Sequence, residues 1–197
     1  MKTEPFNAPF DQFGRWFKKA DATEPEFANA MALATATALG APSVRMVLLK
    51  SWDEQGFVFY TNTKSRKGLE LAENDQAGLL FHWKTQKRQI RIEGLITRVS
   101  DQEADQYFAT RPRGAQIGAW ASAQSDVMAG RHELKKNVVR VTARYAGRKI
   151  PRPAHWSGYR LAPDQFEFWQ NRRFRLHERE LYSLQKDGEW LKEYLFP

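Results

Sequence analysis

Four strand-like runs, at residues 44–51, 57–61, 77–83 and 88–100, follow one another closely, and they constrain the fold more than any other feature of the chain. Asp53-Glu54-Gln55-Gly56, between the first two, is a turn composition that predicts a hairpin. In the last, Ile90, Ile92 and Ile96 alternate with Arg91, Glu93 and Thr97, the period of a strand with one wet face. Further strands are expected at 158–161, 166–170, 173–178 and 180–185, with Pro151, Pro153 and Pro163 punctuating the connection around the first of them.

Helical spacing is confined to a few places. Phe10, Phe13, Trp16, Phe17 and Ala20 predict an amphipathic helix over 10–20, and a second, alanine-rich segment follows over 25–34. Ser100 with Glu103 is a capping-box pattern opening a short helix to about Thr110. Leu134, Val138, Val141 and Tyr145 share one face of a longer helix that closes near Gly147. Many short strands with interspersed helices imply a mainly β, α+β protein, an antiparallel barrel or sandwich decorated by helices, and not a doubly wound parallel sheet. No Gly-x-Gly-x-x-Gly turn and no Gly-x-x-x-x-Gly-Lys-Ser/Thr loop occurs, so any nucleotide must be held by side chains.

The 197 residues fit a single domain over 1–197, with residues 1–8 expected to be flexible. The absence of cysteine excludes disulfides, thiolate nucleophiles and cysteine-bound metals. No signal-like stretch and no run of about 18 apolar residues is present, so a cytoplasmic protein is the default expectation. The formal charge of +8 favours anionic partners, and the positions of the cations narrow the choice.

Ser65-Arg66-Lys67 places two cations at the start of a helix expected to reach Asn74, where the helix dipole disfavours positive charge. A bound phosphate would compensate, because first-turn amides and both side chains converge on it; plain solvation is the alternative. If 173–178 is a strand, Arg173, Arg175, His177 and Arg179 point to one side, against a ligand or as a charged edge that deters aggregation. Arg111, followed by Pro112, sits at a helix C-terminus, a favourable place for a cation in any case. Arg45 and Lys50 lie on opposite faces of their strand. His82, His132 and His155 form no metal pattern, and no acid, base or nucleophile stands out, a profile that suits a cofactor carrying the chemistry.

Taken together, Arg-Met-Val-Leu-Leu-Lys (45–50), Gly-Phe-Val-Phe-Tyr-Thr-Asn (56–62), Ser-Arg-Lys (65–67), Arg-Pro-Arg (111–113), Gln-Ile-Gly-Ala-Trp-Ala-Ser (116–122), Gln-Ser (124–125), Phe-Trp-Gln (168–170) and Arg-Leu-His-Glu-Arg (175–179) resemble the pyridoxine/pyridoxamine 5'-phosphate oxidases in order and spacing. The resemblance implies a split β-barrel homodimer with flavin mononucleotide (FMN) at the subunit interface, residues 152–197 completing barrel and interface. By likeness, FMN would meet Arg45, Met46, Val47, Leu48, Leu49, Lys50, Tyr60, Thr61, Arg66, Lys67 and Gln89, and the partner subunit would add Gln124, Ser125, Trp169 and Arg179. Lys50, Tyr107 and Arg111 would hold the substrate phosphate, with Arg175 and His177 as catalytic residues against the pyridine ring. The implied reaction takes pyridoxamine or pyridoxine 5'-phosphate to the aldehyde by hydride transfer to the flavin, which oxygen reoxidises to give hydrogen peroxide.

Three departures from the family pattern stand out: Ala115 where a serine often contributes to the phosphate, the ending Tyr194-Leu195-Phe196-Pro197 in place of Arg-Leu-Ala-Pro, and a short N-terminus without a basic arm. Competing readings are a flavin oxidase of another substrate, as in phenazine biosynthesis, and a non-catalytic flavin- or nucleic-acid-binding module. The oxidase reading expects neither nucleic acid nor membrane as a partner.

Overall fold

The computed structural model describes residues 2–197, and their strands join in one antiparallel sheet. From edge to edge it runs β1 (Lys2–Glu4), β10 (Trp190–Tyr194), β9 (Glu178–Leu184), β8 (Trp156–Gln170), β7 (Arg88–Arg98), β6 (Gln76–Trp83), β2 (Ala30–Ala36) and β3 (Pro42–Leu48). The long strand β8 forks the sheet. Along one edge it pairs with β7 throughout, while its other edge takes β5 (Gly56–Asn62) on the first half and β9 on the second. β4 (Ser51–Asp53) makes the expected hairpin with β5. The Lys50 amide donates to the Val58 carbonyl at 2.8 Å, so the end of β3 returns to β5 and the sheet curls into a barrel.

Alternation decides what fills it. Met31, Leu33, Phe57, Phe59, Leu79, Phe81, Ile90, Ile92, Leu161, Phe166 and Phe168 all point inward and are almost wholly buried. α1 (Ala8–Thr23) plugs the barrel with the periodic residues seen in the sequence: the Phe13 ring lies 4.8 Å from Phe57, 5.0 Å from Trp52 and 5.3 Å from Phe81, in edge-on geometries that aromatic quadrupoles favour. α2 (Arg66–Glu73) follows β5. α3 (Asp101–Thr110), capped by the Ser100 hydroxyl accepting from the Glu103 amide, joins α4 (Arg113–Ala121) and α5 (Arg131–Arg144) in a second apolar cluster with Trp156. Among the described residues no helix is long and apolar enough to cross a membrane.

Several expectations are corrected. The alanine-rich stretch supplies β2, because Met31, Leu33 and Thr35 alternate into the barrel and tertiary burial outweighs the helix propensity of alanine. The strands expected at 158–161 and 166–170 are one strand. Pro163 interrupts nothing, since it sits at a bulge opposite Gly94, where the ladder is already broken. A side chain on Gly94 would come within 2.1 Å of the Ala162 carbonyl oxygen, so glycine is required there. Residues 173–177 are not a strand: they turn the β8–β9 hairpin through a 3-10 turn at Arg173–Arg175, with Phe174 and Arg175 at φ 57° and 62°, and only Glu178 of the expected run is in β9. Arg173, Arg175, His177 and Arg179 therefore do not share a strand face. α4, β1 and β10 were not anticipated; β1 lies within the segment expected to be flexible, of which Met1 is outside the described residues.

Replacing Phe13 with alanine should lower unfolding free energy by about 3–5 kcal/mol in a denaturant titration, because the ring is completely buried among five other aromatic side chains. A loss below about 1 kcal/mol would show that α1 is not part of the core.

Candidate functional site

Beside the N-terminus of α2 lies a dense group of charges. Thr35, Ser43 and Arg45 come to one face through the β2–β3 register, and Lys67 and Glu70 occupy the buried side of α2. Glu70 Oε2 accepts from Thr35 and Ser43 hydroxyls at 2.5 Å each and from Arg45 Nη2 at 3.2 Å; Oε1 accepts from Arg66 Nε at 2.9 Å. Burial alone would raise the Glu70 pKa, but hydrogen bonds from Ser43, Thr35, Arg66 and Arg45 outweigh it and bring the group to about 2. Arg45 also donates to Thr35, Ser43 and the Leu33 carbonyl, so most of its donors are spent inside the protein.

Lys67 is different. Its side chain is buried, yet its ammonium reaches only the hydroxyls of Thr61 and Ser65, both at 3.4 Å, and no carboxylate lies within ion-pair distance among the described residues. Burial, then repulsion from Arg45, pulls its pKa below the usual lysine value, with Glu70 offsetting part of the shift. A buried cation this poorly compensated, next to the free amides of a helix N-terminus, fits a phosphate. Thr61 donates to the Gln124 side-chain oxygen at 3.0 Å, and the Asn62 amide does so at 3.3 Å. Gln124 thus stands beside Thr61, on the Lys67 side of the site, within one chain. Ser125, next to it, is exposed with φ 77°.

From Thr61 the site continues through an aromatic stack. The Tyr60 ring lies 4.0 Å from Tyr107 and 5.2 Å from Trp156, nearly parallel to both. Gly158 makes room for it, since a Cβ there would approach the ring to 2.6 Å. Burial, followed by Glu103 and Tyr107, raises the Tyr60 pKa to about 12, so the phenol stays neutral. Arg111 sits 4.7 Å over the Trp156 ring, and its Nη1 is buried without any hydrogen-bond partner. This second under-partnered cation, its pKa lowered mainly by burial, also fits an anion. Arg113 is spent on capping α5 through the Tyr145 and Arg148 carbonyls. On and after β3, Leu49 belongs to the core and Val47 packs against it, Leu48 is half-buried, and Met46 and Lys50 are exposed.

The remaining residues gather elsewhere. Gln89, Trp169 and Arg179 stand opposite one another across β7, β8 and β9, on the face away from Ile90 and Phe168. The His177 ring packs 4.6 Å from Trp169, and its Nδ1 accepts from the Arg172 amide at 3.3 Å, which leaves Nε2 as the donor in the neutral ring. Arg179 is tied to Glu167 at 2.7 Å and to the Phe196 carbonyl at 2.9 Å. Arg175 is exposed on the hairpin tip. Tyr60 pairs opposite Gly158 and Gln89 opposite Trp169, positions separated by ~36 Å of strand contour along β8. Glu70 and Trp156 were missed in the sequence. Glu70 is a helical i+4 partner of Arg66, a spacing that was readable; nothing local marks Trp156.

A family model described as pyridoxamine 5'-phosphate oxidase matches residues 17–145, and one described as the pyridoxine 5'-phosphate oxidase C-terminal dimerisation region matches residues 156–197. The chain is 53% identical over 190 residues to the pyridoxine/pyridoxamine 5'-phosphate oxidase of Brucella anthropi, covering 96% of this chain and 94% of that one. It is 52% identical over 189 residues to the enzyme of the same name from Zymomonas mobilis, covering 96% and 98%. Among solved structures, PhzG from Burkholderia lata, in complex with tetrahydrophenazine-1-carboxylic acid, superposes with a TM-score of 0.91 at 34% identity, covering 96% and 92%. A pyridoxamine 5'-phosphate oxidase-related, FMN-binding protein from Nostoc punctiforme shares the fold, with a TM-score of 0.75 at 16% identity over 95% and 96%. The forked antiparallel barrel, the two under-partnered cations and these matches along nearly the whole chain agree: the protein belongs to the pyridoxamine 5'-phosphate oxidase family.

Proposed function

We propose that the protein is an FMN-dependent oxidase that converts pyridoxamine and pyridoxine 5'-phosphates to pyridoxal 5'-phosphate, with oxygen reduced to hydrogen peroxide. The observation that carries this reading is the pair of under-partnered cations, the buried Lys67 and the half-buried Arg111 with its buried Nη1, joined by the Tyr60–Tyr107–Trp156 stack. A phosphate against each would satisfy them, as two planar phosphorylated molecules would supply. Its relatives at 52–53% identity, named for this activity, support the same choice of substrates.

Lys67, Arg66 and the α2 N-terminus would hold the FMN phosphate, with Thr61, Gln124 and Ser125 beside them. Arg111, Tyr107 and Lys50 would hold the substrate phosphate. Bound FMN supplies the hydride acceptor and the route for electrons to oxygen. The protein's part is orientation and charge stabilisation: Arg175 would sit against the pyridine ring, and His177, steadied by Trp169, would present its Nε2 proton to the reacting substituent. The separation along β8 supports a homodimer in which Gln89, Trp169, Arg179 and the hairpin tip face the Lys67 side of the other copy, as the match to the family's dimerisation region also suggests. The continuous sheet from β1 to β10 supports one domain over 1–197. We also infer a cytoplasmic location, for which the cysteine-free composition is the support.

Purified protein should form aldehyde from both phosphorylated vitamers under air, whereas turnover of tetrahydrophenazine-1-carboxylic acid alone would favour the PhzG-like alternative. Arg175→Ala should lower turnover far more than flavin affinity, and Arg66→Ala the reverse; equal effects on both would show the roles are wrongly divided.

FMN affinity should also depend on alkaline pH. A bound dianion favours charged Lys67, so FMN binding takes up a proton once pH exceeds the pKa of the flavin-free protein, which lies below the ordinary 10.5. Affinity for FMN should therefore fall, from a lower pH than an unperturbed lysine would set, by more than that for riboflavin, which shares the ring's own alkaline ionisation but lacks the phosphate. A flat FMN profile up to pH 10.5 would remove Lys67 from the phosphate site.

A further inference from the structure

Glu70 is the residue at this site that binds nothing of its own. Three donors converge on Oε2 and one on Oε1, and the carboxylate is 4% exposed, so its acceptor capacity is filled by the protein. What it does is hold two cations in different ways. Arg45 is gripped at a terminal nitrogen and locked to β2 and β3 through Thr35, Ser43 and the Leu33 carbonyl. Arg66 is held through Nε, and its side chain stays 65% exposed, so both terminal nitrogens remain available to a ligand at the start of α2.

We propose that Glu70 is a positioning residue for the flavin phosphate: it tethers Arg66 by Nε so that the guanidinium presents both terminal nitrogens, alongside the Lys67 ammonium and the first-turn amides of α2, to one dianion. This rests on the assignment of Lys67 and Arg66 to the FMN phosphate. The geometry suits an arginine in particular. A planar guanidinium can bind a carboxylate on one edge and a phosphate on the other, whereas a lysine at 66 has one nitrogen for both tasks. The tether also sets a limit on charge: Glu70 lies behind the guanidinium and not in front of it, so it orients the cation without occupying the nitrogens that meet the ligand.

The test compares FMN with riboflavin, which differ by the phosphate, using flavin fluorescence quenching on the flavin-stripped full-length protein. Glu70→Gln should raise the FMN dissociation constant about tenfold, and the riboflavin constant by less than about twofold. In an Arg66→Ala background the same change should raise the FMN constant by less than about twofold, because the residue it acts through is gone. Equal losses for both flavins, additive effects of the two substitutions, or tighter FMN binding by Glu70→Gln would each overturn the proposal. Should Glu70→Gln fail to fold, as judged by its melting curve, Arg66→Lys asks the question from the other side: it keeps the charge without the second edge and should weaken FMN about fivefold or more. Wild-type FMN affinity in that variant would overturn the tether. If the unaltered protein bound FMN no better than riboflavin, the phosphate-site reading itself would fall, and the tether with it.

Discussion

A single strand paired differently along its two halves sets the terms for everything else. β8 spans Trp156–Gln170, and to keep its backbone groups bonded on both edges it needs β7 along its length, β5 beside its start and β9 beside its end. The β5 half closes the barrel over the aromatic plug of α1. The β9 half leaves the barrel and carries the charged hairpin with it. Gly94 and Pro163 make the change of direction possible at the point where the two halves meet, one by lacking a side chain and the other by lacking an amide hydrogen.

The fork also divides the chemistry. At the start of β8, Trp156 and Gly158 organise the Tyr60 stack and, through it, the neighbourhood of Lys67 and Arg111. At its end, Trp169 anchors Gln89, Arg179 and His177 on the outer face. The two groups sit at opposite ends of β8, and on the proposed reading a homodimer would turn that separation into a composite site. The first group also holds the less comfortable electrostatics. Lys67 and Arg111 are desolvated without matching carboxylates, which costs folding stability that a bound anion would restore.

How much of this was legible in the sequence depends on the range of the interaction concerned. Strand-like runs located β5, β6 and β7 to within a residue or two, period-two alternation marking β7 in particular, and the capping box at Ser100 opened α3 where expected. Cations at a helix start marked Arg66 and Lys67 from local electrostatics alone. The failures came where a distant partner overrides a local signal. Alanine at 30, 32, 34 and 36 reads as helix until the barrel wall claims Met31 and Leu33 between them. Pro163 reads as a break until Gly94 is found opposite it. Arg111 read as a favourable helix terminus, and only the fold shows Trp156 beneath it and a buried nitrogen with no partner.

The hairpin at 171–177 shows the same lesson from the other side. Period-two reasoning put Arg173, Arg175 and His177 on one strand face, yet the chain turns there and places Phe174 and Arg175 in the left-handed region, at roughly 1–3 kcal/mol each for residues with a Cβ. Locally the turn is held by the Arg172–Glu178 ion pair and the His177–Arg172 amide contact, both exposed and weak. It leaves Phe174 at 89% exposure and Leu176 at 65%. On the two-copy reading these apolar tips are the part of the hairpin that a second barrel would cover, and their burial would offset the backbone strain. The strain, the exposed apolar tip and the Arg175–His177 pair then have one common cause, a loop shaped by a surface that its own chain does not provide.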